Sequence, residues 1–207
     1  MSDDAVGVFE SHLLARGLDG PVFVGLDGRS GAGKSTLAAR LADRLERIHG
    51  VEMTVVEGDQ FYAGGSGPTW DRRTAAEKAD RVIDWERQHA ILTALRSVGE
   101  ARWHPFDWTA PDWDAAEPPL ADESVHARLA DVVLLEGAYS CRPELHPLLD
   151  VLVLLDPPTE VRRRQLLARE GDTYRTEWEG RWAEAEDQYF GTLMPPDRFD
   201  LVIVPAP

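Results

Sequence analysis

Nine consecutive residues, Gly28 to Thr36, read Gly-Arg-Ser-Gly-Ala-Gly-Lys-Ser-Thr and carry the spacing G-x-x-x-x-G-K-[ST] at Gly28, Gly33, Lys34 and Ser35. Residue types in this order suit one task, which is holding a chain of phosphates. Gly28, Gly31 and Gly33 allow backbone conformations that bring amide N–H groups close to an anion. Lys34 adds a full positive charge beside the outer phosphates, and the Ser35 hydroxyl is a hard oxygen ligand for Mg²⁺. Gly28, Ser30, Gly31, Ala32, Gly33, Lys34, Ser35 and Thr36 are therefore the candidate nucleotide contacts. A nucleoside triphosphate such as ATP is the expected ligand.

Three further groups could act on such a ligand. Asp59 follows the apolar run Met53-Thr54-Val55-Val56, at the end of a strand where open α/β sheets bind ligands. It is placed to take a proton from an acceptor hydroxyl, although a lone loop aspartate more often caps a turn. Glu136 closes the run Val132-Val133-Leu134-Leu135, the pattern of an acid that holds Mg²⁺ or its water. Arg162, Arg163, Arg164 and Arg169 lie in one helical window, where arginines neutralise a moving phosphoryl group in phosphotransferases or are simply solvated. A fourth group is the stretch 101–120. It interleaves Trp103, Phe106, Trp108 and Trp113 with Asp107, Asp112, Asp114 and Glu117 and is broken by four prolines. Such a segment forms either an aromatic-anchored loop or a pocket that stacks on a flat or cationic group.

The elements that must position these groups are legible as periodicities. Val22 to Leu26 forms a buried strand before the glycine-rich loop, and Leu37, Ala38, Leu41, Ala42 and Leu45 follow at helical spacing. Further strands are expected at 53–56, 132–135, 151–155 and 201–204. Helices are expected at 4–16, 34–49, 74–98 (split near Asp84-Trp85), over the arginine window and at about 177–193. Strands alternating with helices predict an α/β fold with a five-stranded, mostly parallel sheet. The 207 residues fit one domain, with a lid at about 157–176 and an acceptor-pocket insertion at about 60–120.

Composition narrows the partners. A net charge of −15 opposes nucleic-acid binding. No apolar run approaches membrane-spanning length, and the start Met1-Ser2-Asp3-Asp4 is unlike a secretory signal. A single cysteine, Cys141, makes no internal disulfide and points to a reducing cytoplasm, with the residue itself structural. Seven tryptophans leave room for a homo-oligomer contact. His104 has no second ligand at metal-binding spacing.

Taken together, these motifs resemble the uridine kinase and phosphoribulokinase family of P-loop kinases over nearly the whole chain. The phosphate loop is matched by Gly28, Ser30, Gly31, Gly33, Lys34 and Ser35, and an Asp-x-Phe-Tyr motif by Asp59, Phe61 and Tyr62. Pro105-Phe106-Asp107-Trp108 is similar to a base-pocket motif, and Glu136-Gly137 to the family's second acidic strand end. Arg163-Arg164 and Arg169-Glu170 match the lid arginines, and Gln188-Tyr189 with the segment 199–205 matches the C-terminal motifs. The resemblance implies Asp59 as base, with Lys34 and Arg169 acting on the transferred group. It also implies Arg164 near the nucleotide, Ser35 and Glu136 on Mg²⁺, and Tyr62, Asp84, Phe106, Asp107, Trp108, Arg169 and Gln188 around the acceptor. Three departures lie on the acceptor side. Asp84 alone survives of a Phe-Asp-His-Pro segment, Phe106 replaces the tyrosine of the base-pocket motif and so lacks its hydroxyl, and no histidine stands near Pro111 where the family has one.

The activity so implied is ATP-dependent phosphorylation of a small-molecule hydroxyl, as in a uridine kinase. Two alternatives keep the same machinery. One is a kinase of a sugar, vitamin precursor, amino sugar or antibiotic. The other is a nucleoside monophosphate kinase using Arg72, Arg73 and Arg81. A non-kinase nucleotide switch is disfavoured, because the chain contains no asparagine and so no Asn-Lys-x-Asp motif for guanine.

Overall fold

The computed structural model describes residues 3–171 and 175–205, and of 175–178 the backbone only. Five strands form one sheet: β1 (Val22–Asp27), β2 (Met53–Glu57), β5 (Val132–Glu136), β6 (Val151–Leu155) and β7 (Leu201–Ile203). Their order is β2-β5-β1-β6-β7, and every pairing is parallel. All five coincide with the expected apolar runs. Those runs are continuous because both faces of the sheet are covered.

The side-chain period of two divides the strands between two cores. Val24, Leu26, Leu134 and Val153 face α1 (Asp3–Arg16) and α2 (Lys34–His49), where Phe9, Leu13, Leu37 and Leu41 are fully buried. Phe23, Val133, Leu135 and Leu154 face the opposite layer, which includes Leu92 and Leu95 of α5 (Trp85–Val98). Gly25 leaves space on β1 for Cys141, since a Cβ there would stand 2.6 Å from its Sγ. That thiol is buried, and burial pushes it well above the ordinary cysteine range. The structural expectation for Cys141 stands.

The helical stretch 74–98 is indeed two helices. In α4 (Ala75–Arg81) Thr74 and Glu77 form a capping box, and Asp84 caps α5 by accepting the Arg87 N–H at 3.1 Å. Between them the backbone of Ile83 bridges that of Tyr62. The glycine-rich segment 63–68 runs into a short helix, α3 (Gly67–Asp71), whose Trp70 is buried. The stretch 101–120 is bracketed by an antiparallel ribbon that the sequence did not announce, in which β3 (Glu100–Trp103) pairs with β4 (Val125–Arg128). After α6 (Thr159–Glu170), the last helical region is wide-turned. It comprises a π-helix (Arg175–Trp182), α7 (Ala183–Gln188) and a second π-helical turn (Tyr189–Leu193).

Candidate active site

Two hollows meet at the carboxyl ends of the central strands. The smaller, about 330 Å³, is lined by loop residues Ser30, Gly31, Gly33, Lys34, Ser35 and Thr36, together with Asp59, Glu136 and Arg169. The loop takes its shape from glycines in conformations open to few other residues. Gly31 has φ 73°, and Gly33, with φ 92°, precedes α2. A Cβ on Gly31 would lie 2.7 Å from Leu166 Cγ and 2.8 Å from the Arg162 carbonyl, so α6 packs directly on the loop. The α2 N-terminus opens onto the same hollow, where its unpaired amides favour an anion. The Lys34 ammonium donates to the Gly28 carbonyl at 2.7 Å, which keeps it over the loop.

Glu136 ends β5 as a buried carboxylate. Burial pushes its carboxyl above the ordinary range; the Lys34 charge and a hydrogen bond from Ser35 pull it back, while Asp59 and Glu57 add to the rise. A hydroxyl and a carboxylate joined in this way form a hard-oxygen pair of the kind that suits Mg²⁺ beside phosphates.

The larger cavity, about 580 Å³, has an aromatic wall made by Tyr62, Trp70, Trp108, Trp113 and Trp182. Tyr62 and Trp108 are near parallel with centroids 5.1 Å apart, and Trp113 stands edge-on to both. The Tyr62 hydroxyl donates to Gly65 O at 2.8 Å and accepts from Trp70 Nε1 at 2.6 Å. The loop around 104–121 is tied to the segment after β2. Phe106 N donates to Gln60 O at 2.8 Å, Trp103 Nε1 to Gln60 Oε1 at 2.8 Å, and Ser66 N to Asp114 Oδ1 at 2.8 Å. The Ser66 bonds hold the Asp114 carboxyl down at about 2.

Ser30, Asp59, Ala138 and Arg169 line both hollows. Asp59 is exposed there because the chain leaves β2 in a tight 3₁₀ turn (Gly58–Phe61). Gly58 permits the turn to press on β5, since a Cβ would approach the Glu136 carbonyl to 2.9 Å.

A buried carboxylate that sequence reasoning missed links the two sides. Asp27, the last residue of β1, is fully buried. It accepts from Gly28 N (2.7 Å), Tyr139 N (2.9 Å), Cys141 N (2.9 Å) and the Tyr189 hydroxyl (2.8 Å). Burial pushes its carboxyl up, against the pull of those donors and of Lys34. Tyr139, held by this bond at φ 67°, lines the cavity. A bulky residue in the left-handed region is strained and persists only where its surroundings over-determine it.

The expected site residues divide accordingly. Ser30, Gly31, Gly33, Lys34, Ser35 and Thr36 of the loop and Asp59, Glu136, Tyr62, Trp108 and Arg169 line one hollow or both, whereas Gly28 is buried against Leu155 of β6 and Ala32 beneath the loop. Phe106 packs edge-on to Tyr62 behind the wall, and Asp107 turns to the N–H and hydroxyl of Thr109. Asp84 is occupied as a helix cap. Gln188 is exposed on the outer side of α7, since a 100° step per residue turns it away when Ala185, Glu186 and Tyr189 face inward. Arg164 is exposed as well, and Arg163 pairs with Glu160 and Glu179. The arginine that reaches the loop is Arg162, whose guanidinium donates to Ser30 O at 3.4 Å. Helical phase decides this, because Arg162 and Leu166 share the α6 face that packs on the loop. Within the expected lid, residues 172–174 lie outside the described residues. None of Arg72, Arg73 and Arg81 lines the cavity; Arg73 lies over Trp70 instead.

A glycine-rich loop between a central parallel strand and its helix, with an acid ending the neighbouring strand, defines a P-loop protein of the kinase type. Residues 23–180 match the Phosphoribulokinase / Uridine kinase family, and the chain belongs to that family. It is 28% identical over 195 residues to a uridine kinase of Limosilactobacillus reuteri, covering 89% of this chain and 83% of the relative. It is 25% identical over 174 residues to a uridine kinase of Halobacterium salinarum, covering 83% of this chain and 71% of the relative. The fold is that of a possible uridine kinase from Bacillus stearothermophilus (TM-score 0.71, 23% identity, 97% of each chain). It is also similar to a D-glycerate 3-kinase from Cryptococcus neoformans (TM-score 0.57, 18% identity, 84% and 79% of the chains).

Proposed function

We propose that this protein is an ATP-dependent kinase of a small-molecule hydroxyl, acting in the cytoplasm as one domain with α6 in its lid and residues 60–120 forming the acceptor side. The observation that carries the reading is the shared border of the two hollows, where Asp59 and Arg169 belong to both. Phosphate and acceptor would meet there.

The loop amides and Lys34 hold the triphosphate, and their donors need no rearrangement as charge develops. Ser35 and Glu136 would hold Mg²⁺ together with phosphate oxygens, and the ion supplies charge neutralisation there. Asp59 accepts the proton of the acceptor hydroxyl as its oxygen bonds to the γ-phosphorus. The bond from that phosphorus to the β,γ-bridging oxygen breaks, and ADP leaves with the electron pair. Arg169 reaches the transferring group from α6, and Arg162 rather than Arg164 braces the loop. Family membership supports this chemistry. A uridine-like acceptor draws support from the relatives and is opposed by the placement of Asp84 and Gln188 outside the cavity. A monophosphate acceptor lacks support from Arg72, Arg73 and Arg81, which lie off the cavity.

The test is Asp59→Asn, assayed by ADP release with a panel of nucleosides, sugars and amino sugars. Turnover should fall by about 10²–10⁴-fold, with ATP affinity within about twofold of the parent protein. Near-normal turnover would remove Asp59 from the base role.

A further inference from the structure

Glu186 is the feature of the cavity that the phosphate chemistry leaves unused. It projects from α7, its side chain is 6% exposed, and it lines the aromatic cavity beside Ser30. Its Oε1 accepts the Ser30 N–H at 2.6 Å. Its Oε2 receives no hydrogen bond among the described residues. Arg162 Nη1 at 3.8 Å and Arg29 Nη1 at 3.9 Å form long ion pairs with it, both too far for a hydrogen bond. Arg29 spends its bond on Asp187 at 2.6 Å, and Arg162 on Ser30 O. Oε2 is therefore an acceptor on the cavity wall with capacity for a donor from a ligand.

We propose that Glu186 is the residue that selects the acceptor, its Oε2 taking a hydrogen bond from a second donor group of an unphosphorylated hydroxyl compound. This rests on reading the cavity as the acceptor site. That donor is a further hydroxyl or an ammonium; the shared chemistry is an O–H or N–H aimed at a carboxylate. The other surfaces of the cavity agree. Trp108, stacked on the buried Tyr62 and itself half-exposed, offers a flat face to a sugar, a base or a cation. The two arginines on the wall each face a carboxylate already. Arg181 grips Asp71 through two bonds (2.7 and 3.0 Å), and Arg169 Nε meets Glu170 at 2.6 Å. A phosphorylated acceptor would have to compete with those carboxylates. Glu186 also stands three residues before Tyr189, whose hydroxyl binds Asp27, so its backbone is anchored to the strand that begins the phosphate loop.

The deciding variant is Glu186→Gln. Its carbonyl keeps the Ser30 bond while its NH₂ replaces the accepting oxygen, so the loop is retained and the donor on the acceptor meets another donor. The full chain, with ATP and Mg²⁺, would be assayed for ADP release against glucose, glucosamine, N-acetylglucosamine, uridine, uridine monophosphate and the monohydric alcohol cyclohexanol. The parent protein should use one or more polyols or amino sugars and should not use cyclohexanol or the monophosphate. Glu186→Gln should raise the acceptor KM about tenfold or more and leave the ATP KM within about twofold. A larger loss with glucosamine than with glucose assigns the donor to an ammonium, and equal losses assign it to a hydroxyl. A purely structural Glu186 would shift the ATP KM or the melting temperature and spare the acceptor KM, which overturns the proposal. Equal use of cyclohexanol, or preferred use of the monophosphate, overturns it too. A raised acceptor KM in Asp84→Asn but not in Glu186→Gln gives the role to Asp84 and likewise overturns it. Absence of ADP release with every acceptor defeats the kinase reading itself, and the proposal with it.

Discussion

The two hollows are built in contrasting ways. The smaller hollow, the proposed phosphate side, is built around one contiguous run, Ser30 to Thr36, which is closed by Asp59, by the end of β5 at Glu136 to Ala138 and by one face of α6. The larger cavity, the proposed acceptor side, is assembled from more separate places: the 3₁₀ turn after β2, α3, the loop around Trp108 and Trp113, the segment after β5, α6 and the wide-turned helix near Trp182. A contiguous site depends on local conformation, and its chemistry is stated by residue spacing. A dispersed site depends on packing, and its residues are free to change as long as the fold holds.

The contrast predicts where damage falls. Trp70 is 1% exposed, meets Trp182 with centroids 5.4 Å apart and donates to Tyr62. Trp70→Ala should destabilise the fold by about 3–5 kcal/mol, seen by thermal melting, and should raise acceptor KM more than ATP KM. Equal effects on both would mean that the two hollows are one cooperative unit. Next in size, Lys34→Ala should lower kcat/KM by roughly 10²–10³-fold with every acceptor alike, at little change in melting temperature. An acceptor-dependent loss would break the separation of roles.

The smallest effect sharpens the comparison through pH. Burial raises the Glu136 carboxyl in the folded state, so its ionised form opposes folding above the ordinary glutamate range. Glu136→Gln should then stabilise the ligand-free protein at pH 7 by about 1 kcal/mol, roughly 2–4 °C for a chain of this size, while turnover falls. The gain should shrink as pH falls through the raised folded value and vanish below the ordinary glutamate range, where the parent carboxyl is protonated in both the folded and the unfolded chain. A variant less stable than the parent at pH 7 would show that the Lys34 and Ser35 partners outweigh burial.

Much was determined by the sequence alone. The five sheet strands, the phosphate loop, α2 from Lys34 to His49, the break near Asp84 and the acid at Glu136 follow from periodicity, glycine chemistry and fixed spacing. All of these are interactions between residues close in the chain. The tertiary structure decided the rest. It showed that Asp84 caps a helix and that Gln188 faces outward. It placed Arg162 rather than Arg164 on the loop and buried Asp27 among four donors. It also turned Glu186 into the cavity and raised a wall from rings far apart in the chain. Helical phase, strand register and the packing of distant rings depend on which surfaces meet, and no local spacing encodes that.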